Sequence, residues 1–386
     1  MTRRSMGVEE EFLLVDPADG QVRAMAAAAL GADAARHEDG TESGHESGTE
    51  DGTEDGTEDG EGDVEAELQL QQLETNTDPC RSLTELGEQL RRARRQASEA
   101  ARAVGVEIAA LASSPLPAKP AFTPSRRYQR LRERFGLLAE DQLTCGCHIH
   151  VEVGSDEEGV AVVDRIRPWL APLLALSGNS PFWQGEDSTY ASYRTQVWSR
   201  WPSAGPTELF GSAETYHETV RAMTESRTVL DSGMVYFDAR LSRQYPTVEI
   251  RVADVCLHAD DAVLLAALAR ALVRTAARQW RDGEAAQPVR LELLRLAAWR
   301  ASRYGLDAAL LDPVTMRPAP ARAVLDGLLE HVRDALEDVG DHADVSELYG
   351  ALLGRGNGAR VQRAAHARAS SLADVVTDGV RRTLAS

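Results

Sequence analysis

Several short stretches of this chain alternate, residue by residue, between apolar side chains and acids, histidines or arginines. That pattern constrains the fold more than any other feature. In LTCGCHIHVEV, residues 143–153, the two-residue repeat of a strand puts Cys145, Cys147, Ile149, Val151 and Val153 on one face. His148, His150 and Glu152 share the other. YPTVEIRVADV divides the same way, with Val248, Ile250 and Val252 against Thr247, Glu249 and Arg251. VYFDARL sets Val235, Phe237, Ala239 and Leu241 against Tyr236, Asp238 and Arg240. Such strands belong to a sheet with one face on a core and one face rich in ionisable groups. An exposed, solvated face is the competing reading, but such a face more often carries Thr, Lys and Gln.

The opening segment MGVEEEF poses the sharpest electrostatic problem. Glu9 and Glu11 fall on one face, while Glu10 joins Val8, Phe12 and Leu14 on the other. Like charges this close raise one another's pKa unless a cation lies between them. Magnesium in particular pairs carboxylate oxygens with phosphate oxygens and water, so a metal–nucleotide site answers the problem. Glu10 is expected to find an arginine or solvent and has no catalytic role. In EAELQLQQLETNT, Glu67 and Glu74 are seven residues apart and would face opposite ways in a regular strand. A bulge or helical turn would unite them, and Glu74 lies in the more strand-like part. The Cys-Gly-Cys-His run at 145–148 is not read as a zinc site, because its thiols point away from the imidazoles. The cysteines are read as small core residues.

The net charge of −19 is largely local: residues 38–63 hold twelve acids and no Lys or Arg, which leaves −7 elsewhere. Arg36 to Asp63, built on a Thr-Glu-Asp-Gly repeat, has nothing apolar to bury and is expected to be a disordered surface insertion. No basic run is interleaved with aromatics, so a nucleic-acid partner is not expected. Among the 42 basic residues only Lys119 is lysine, so any phosphate must be held by arginine, backbone amides or metal. No Gly-x-x-x-x-Gly-Lys loop exists. Four cysteines, no apolar run of about 18 residues and no signal-like start predict a cytoplasmic protein without a membrane partner.

Strands are expected at 6–15, 66–76, 106–112, 143–153, 233–241 and 246–255, with the last two forming a hairpin. Helices are expected at 82–104, 126–137, 157–177, 213–226, 260–281, 289–303, 319–338, 343–353 and 358–384. Strands without regular intervening helices fit neither a Rossmann nor a TIM pattern, and the class is α+β. The segment 257–386 reads as a helical C-terminal part.

Five motifs in order, MGVEEEF, ELQLQQLETNTDPC, GCHIHVEV, NSPFWQGEDSTYASYRTQVWSRWP and YFDARLSRQYPTVEIRVAD, resemble the carboxylate–amine ligases of the glutamate–cysteine ligase type 2 family. The resemblance runs from about residue 6 to 256. It implies a single catalytic domain over 1–386 with a glutamine-synthetase-like curved antiparallel sheet, helices packed on its outer side, and ATP with metal ions on its concave face. It also implies ATP-dependent amide formation through an acyl phosphate, by family habit from glutamate and L-cysteine, with magnesium or manganese as the ion. By the same resemblance, Glu9, Glu11, Glu67, Glu74, His148 and Glu249 are metal ligands. Arg251 meets the transferred phosphoryl group, and Arg240 and His150 are further phosphate or nucleotide contacts. Arg194 takes a substrate carboxylate, with Asn179, Trp183 and Tyr190 shaping that pocket. The expected partners are small molecules, and a homo-oligomer is left open. Two other readings compete: a zinc amidohydrolase using His148 and His150, and a catalytically inactive acidic binding protein.

Overall fold

The computed structural model of the chain describes residues 3–39 and 64–385. Its main sheet is built from β1 (Met6–Val15), β2 (Val64–Ala66), β3 (Gln72–Asn76), β4 (Glu107–Ala109) and β5 (Gly146–Glu152). After two short strands, β6 (Phe182–Trp183) and β7 (Glu186–Asp187), which pair only with each other, β8 (Ala239–Leu241) and β9 (Thr247–Asp254) complete it. The order is β2-β3-β1-β5-β9-β8, with β4 pairing a further stretch of β1, and every pairing is antiparallel. The α+β class expected from the alternation is the class observed.

Alternation explains the layering. Met6 and Val8 of β1, Cys147, Ile149 and Val151 of β5, and Val248 and Ile250 of β9 enter one buried cluster. They meet Leu83, Leu86 and Leu90 of helix Leu83–Ala103 and the apolar residues of helix Ala259–Arg281. The latter helix is buried on nearly every side over 259–277, since other helices cover it from behind. Cys145 enters a second buried cluster with Phe12, Leu14 and Ile108, so both cysteines of the Cys-Gly-Cys-His run are core residues.

Glu10 has the arginine partner that its position demanded. Arg94 of helix Leu83–Ala103 donates to it from Nε at 2.8 Å and Nη2 at 2.6 Å, with both side chains about 1% exposed. The same guanidinium donates to the carbonyls of Cys256 at 2.7 Å and Thr383 at 3.1 Å. One buried ion pair thus ties the first strand to the chain's last helix, Leu372–Thr383.

Local expectations fail where tertiary contacts override alternation. The strand expected over 66–76 is interrupted at 67–71, where Leu70 N–H donates to Ala121 at 2.7 Å and Thr123 N–H to Leu68 at 3.0 Å. The strand expected over 233–241 shortens to β8, because Ser232–Met234 forms a 3₁₀ turn that Asp231 caps. Helix Ala26–Asp39 was not anticipated, nor was the small hairpin of β10 (Ala309–Leu311) and β11 (Pro318–Pro320) inside the helical C-terminal part. The first residues of the acidic segment, 36–39, finish that helix; the rest of the expected insertion, 40–63, lies outside the described residues.

A bulge is the most consequential irregularity. Between β5 and β9 the pairs Cys147↔Ala253 and Ile149↔Ile250 leave Arg251 and Val252 opposite the single residue His148. Ala253 therefore joins Val248 and Ile250 as a buried member of the apolar cluster, while Val252 is only partly buried, packing against that cluster and lining a cavity with Arg251. The expected apolar face thus gains Ala253 and keeps Val252 only at its margin.

Candidate active site

Strand register brings the polar faces together. Glu9 pairs with His148 across β1 and β5, Glu11 with Glu74 across β1 and β3, His150 with Glu249 across β5 and β9, and Glu249 with Arg240 across β9 and β8. Two groups of potential ligands result: Glu9, His148 and Glu249 form one, and Glu11, Glu67 and Glu74 form the other. Within each, the ligand atoms lie within 4.8 Å of one another. Glu67 joins because residues 67–71 leave the strand, which cancels the parity problem of its seven-residue spacing. Its carbonyl accepts from Thr123 Oγ1 at 2.5 Å.

Charge balance separates the two groups. Burial works against ionisation of Glu9, but His148 Nδ1 at 3.0 Å and His150 Nε2 at 2.9 Å outweigh it and hold its carboxyl well below the usual range. Burial also opposes ionisation of Glu249, yet Arg251 and Arg240 pull it down to about 2. Arg240 reaches Glu249 at 2.6 and 3.1 Å, Arg251 also bonds to it, and Arg240 is itself anchored on the Val235 carbonyl at 2.7 Å. In the second group no carboxylate forms an ion pair with an arginine among the described residues, and His148 and Arg194 only partly offset the charge on Glu11. Burial first, then Glu67, Glu9 and Glu11, push Glu74 well above the ordinary value, and burial and Glu67 raise Glu11. Burial and then Arg251 lower His148, whereas Glu9 more than offsets the burial of His150 and raises it.

These residues fit hard divalent cations. The second group is three carboxylates whose mutual repulsion and burial outweigh the pull of His148 and Arg194 on Glu11, and His148 Nε2 is buried without a hydrogen-bond partner among the described residues, 4.0 Å from Glu11. The two histidines do not converge on one position. His150 is taken by Thr247 Oγ1 at 2.9 Å and by Glu9, and only His148 enters a three-ligand group. A two-histidine zinc centre is not what the geometry offers.

Arg251 also lines a cavity together with Arg194, Asp238, Arg167 and Thr195, with Trp198 and Tyr236 among its aromatic walls. Trp198 stands near two guanidiniums, Arg194 at 5.6 Å and Arg251 at 5.8 Å from its ring centre. Gly146 leaves the room here: a Cβ would force the Arg194 guanidinium to shift and crowd His148 Nε2 at 3.1 Å. Arg194, expected to take a substrate carboxylate, lines this cavity.

The three other expected pocket residues do not reach it. Asn179 is fully buried, its amide donating to the carbonyls of Ala110 and Val255 at 2.8 Å while its oxygen accepts from Gln362 at 2.7 Å. It holds core segments together, as a buried amide must when every polar atom needs a partner. Trp183 and Tyr190 pack on Tyr193, and Tyr190 also meets Trp299, in an aromatic group outside the cavity lining. Sequence reasoning placed Asp238 and Tyr236 on the polar face but gave them no role. Trp198, one turn after Arg194 on helix Tyr193–Trp198, was missed because that short helix was not expected.

An antiparallel sheet bearing two acidic ligand groups beside a cluster of arginines defines a class of ligase fold. The chain superposes on a solved glutamate–cysteine ligase from Francisella tularensis, in complex with AMP, with a TM-score of 0.66 at 12% identity, covering 100% of this chain and 90% of that one. A bifunctional glutathione synthetase from Pasteurella multocida gives 0.65 at 16%, covering 98% of this chain and 52% of that one. At such identities the likeness is one of fold. The chain belongs to Glutamate-cysteine ligase family 2 (GCS2), whose model matches residues 5–382. It is 54% identical over 380 residues to a Streptomyces avermitilis protein named "Putative glutamate--cysteine ligase 2-1", covering 98% of this chain and 99% of that protein. It is also 54% identical over 383 residues to the Streptomyces coelicolor "Putative glutamate--cysteine ligase 2", covering 99% and 100%. Family membership places it among the carboxylate–amine ligases. Among the described residues no helix is long and apolar enough to cross a membrane.

Proposed function

We propose that this protein condenses the side-chain carboxylate of glutamate with the amine of a second amino acid, cysteine being the family's acceptor, and cleaves ATP to ADP and phosphate. The observation that carries this reading is the pair of acidic groups set edge to edge on one sheet face and flanked by Arg240 and Arg251. Magnesium held by Glu9, His148 and Glu249, and by Glu11, Glu67 and Glu74, would neutralise the nucleotide's phosphate oxygens.

The remaining chemistry is positioning and charge. A carboxylate oxygen of the donor attacks the γ-phosphorus of ATP, ADP leaves, and an acyl phosphate forms. The amine then attacks the carbonyl carbon and phosphate departs. Arg251, whose Nε is buried without a partner among the described residues, would meet the transferred group. Arg240 keeps Glu249 oriented through a two-point contact. Arg194 offers a planar guanidinium to a substrate carboxylate.

The test is incubation with ATP, magnesium and pooled amino acids, followed by mass spectrometry of amides and assay of ADP and phosphate. The expected result is an amide formed in step with ADP. Amide formation without ATP, or ADP formation with no amide from any amino acid, would overturn it.

A further inference from the structure

Arg194 is carried by a helix of only six residues, Tyr193–Trp198, and a helix that short does not hold itself. Its first N–H groups have no partner within the helix. Two of them find hydroxyls: Arg194 N–H donates to Ser180 Oγ at 2.9 Å, and Thr195 N–H to Ser192 Oγ at 3.4 Å. A hydroxyl that accepts from an N–H must send its single proton elsewhere. Both serines send it to Asp254 of β9, Ser180 to Oδ2 at 2.8 Å and Ser192 to Oδ1 at 2.7 Å. Ser192 Oγ also lies 2.8 Å from Thr195 Oγ1, which can supply its own proton there, whereas an ionised carboxylate can only accept. Asn179 N–H completes the set on Oδ2 at 2.8 Å.

Asp254, Ser180 and Ser192 are fully buried, so the carboxylate sets the direction of both hydroxyls. Burial raises the Asp254 carboxyl, and Arg194 is the first group that pulls it back. Yet Arg194 forms no ion pair among the described residues, and its buried Nε has no acceptor there. Asp254 thus acts on Arg194 through the helix and leaves the guanidinium free for a ligand. The same helix carries Trp198, whose ring stands near both Arg194 and Arg251. An asparagine at this position would have the right shape but would present N–H groups on one side. That reverses one hydroxyl or sets donor against donor, and the helix loses its hold.

We propose that Asp254 is a positioning residue for the ligation: its carboxylate, acting through Ser180 and Ser192, fixes the helix that presents Arg194 to an amino-acid substrate. The proposal rests on the ligase reading, in which Arg194 takes a substrate carboxylate. Asp254 lies outside the cavity lining and touches no reacting atom. Glu249, held by Arg240 and Arg251, stands outside this relay, so nucleotide and metal binding are spared when the relay is broken.

The experiment is steady-state kinetics of ADP and amide formation with ATP, magnesium, glutamate and cysteine. Arg194→Lys first identifies the amino acid that Arg194 holds, as the one whose KM it raises. Asp254→Asn should raise that same KM by about 10-fold, the scale of one hydrogen bond to a charged group, while the KM of ATP stays within about twofold. Ser180→Ala and Ser192→Ala should move it the same way by less, and they carry the test alone if Asp254→Asn does not fold. Ser177→Ala removes the hydroxyl that accepts from the Asp254 N–H at 3.2 Å, leaves the carboxylate's contacts intact, and should leave that KM unchanged. In the Arg194→Lys background Asp254→Asn should add nothing further, because both act through one guanidinium. Equal rises in the KM of ATP and of the amino acid, singles that multiply in the double variant, serine variants with an unmoved KM, or an Arg194→Lys that raises neither amino acid's KM would each overturn the proposal and spare the ligase reading. Wild type that forms no amide in step with ADP overturns both.

Discussion

Replacing Glu10 by Ala should destabilise the protein without touching the chemistry, the opposite of what its neighbours Glu9 and Glu11 should do. Arg94 is 1% exposed and gives Glu10 two charge-assisted bonds, so truncation strands a cation whose remaining hydrogen-bond acceptors among the described residues are carbonyls. Breaking a buried pair from one side costs about 3–5 kcal/mol. A chain of this length unfolds with an entropy near 0.8 kcal/mol/K, so about 4 kcal/mol lowers Tm by about 5 °C. Removing both partners, as Glu10→Leu with Arg94→Met, removes the stranded charge and should cost less than Glu10→Ala, although the carbonyls of Cys256 and Thr383 then lose a donor. Urea or thermal unfolding followed by circular dichroism measures all three variants. A Glu10→Ala protein as stable as wild type, or a double variant less stable than the single, would refute the assignment of this pair as a buried structural tie.

Glu249→Gln should abolish magnesium-dependent ADP formation while circular dichroism shows the fold retained; surviving turnover would remove Glu249 from the site. Glu74 is shifted upward, so its share of metal-free stability is fully present below the ordinary glutamate value and is lost as pH rises through its raised folded value. Magnesium needs the ionised form, so binding should release protons and tighten with pH, measurable by calorimetry in buffers of different ionisation enthalpy. Gly146→Ala should push Arg194 aside and raise the KM of the amino-acid substrate that it holds more than that of ATP. Equal changes in both, in steady-state kinetics, would argue against Arg194 as a substrate contact.

The sequence by itself determined which side of each strand faces the chemistry. Period-two geometry separates Glu9 and Glu11 from Glu10, and His148 and His150 from Cys145 and Cys147, with no knowledge of what lies across the sheet. It also led to the expectation that Glu10 finds an arginine or solvent, because a charge among Val8, Phe12 and Leu14 is costly to bury unpaired. Only the tertiary structure decided what breaks that period. Glu67 reaches Glu11 and Glu74 because residues 67–71 are drawn out of the strand by hydrogen bonds to residues 119–123, which lie about fifty positions away. The bulge at Arg251 and Val252 depends on the register of β9 against β5, and register belongs to a pair of strands. Asn179 proved to be a core tie because its partners, Ala110, Val255 and Gln362, come from three distant segments. Asp238 reads as one more residue on a polar face. That its side chain lines a cavity with Arg194 and accepts no hydrogen bond among the described residues depends on which neighbours the fold supplies, and local sequence does not encode that.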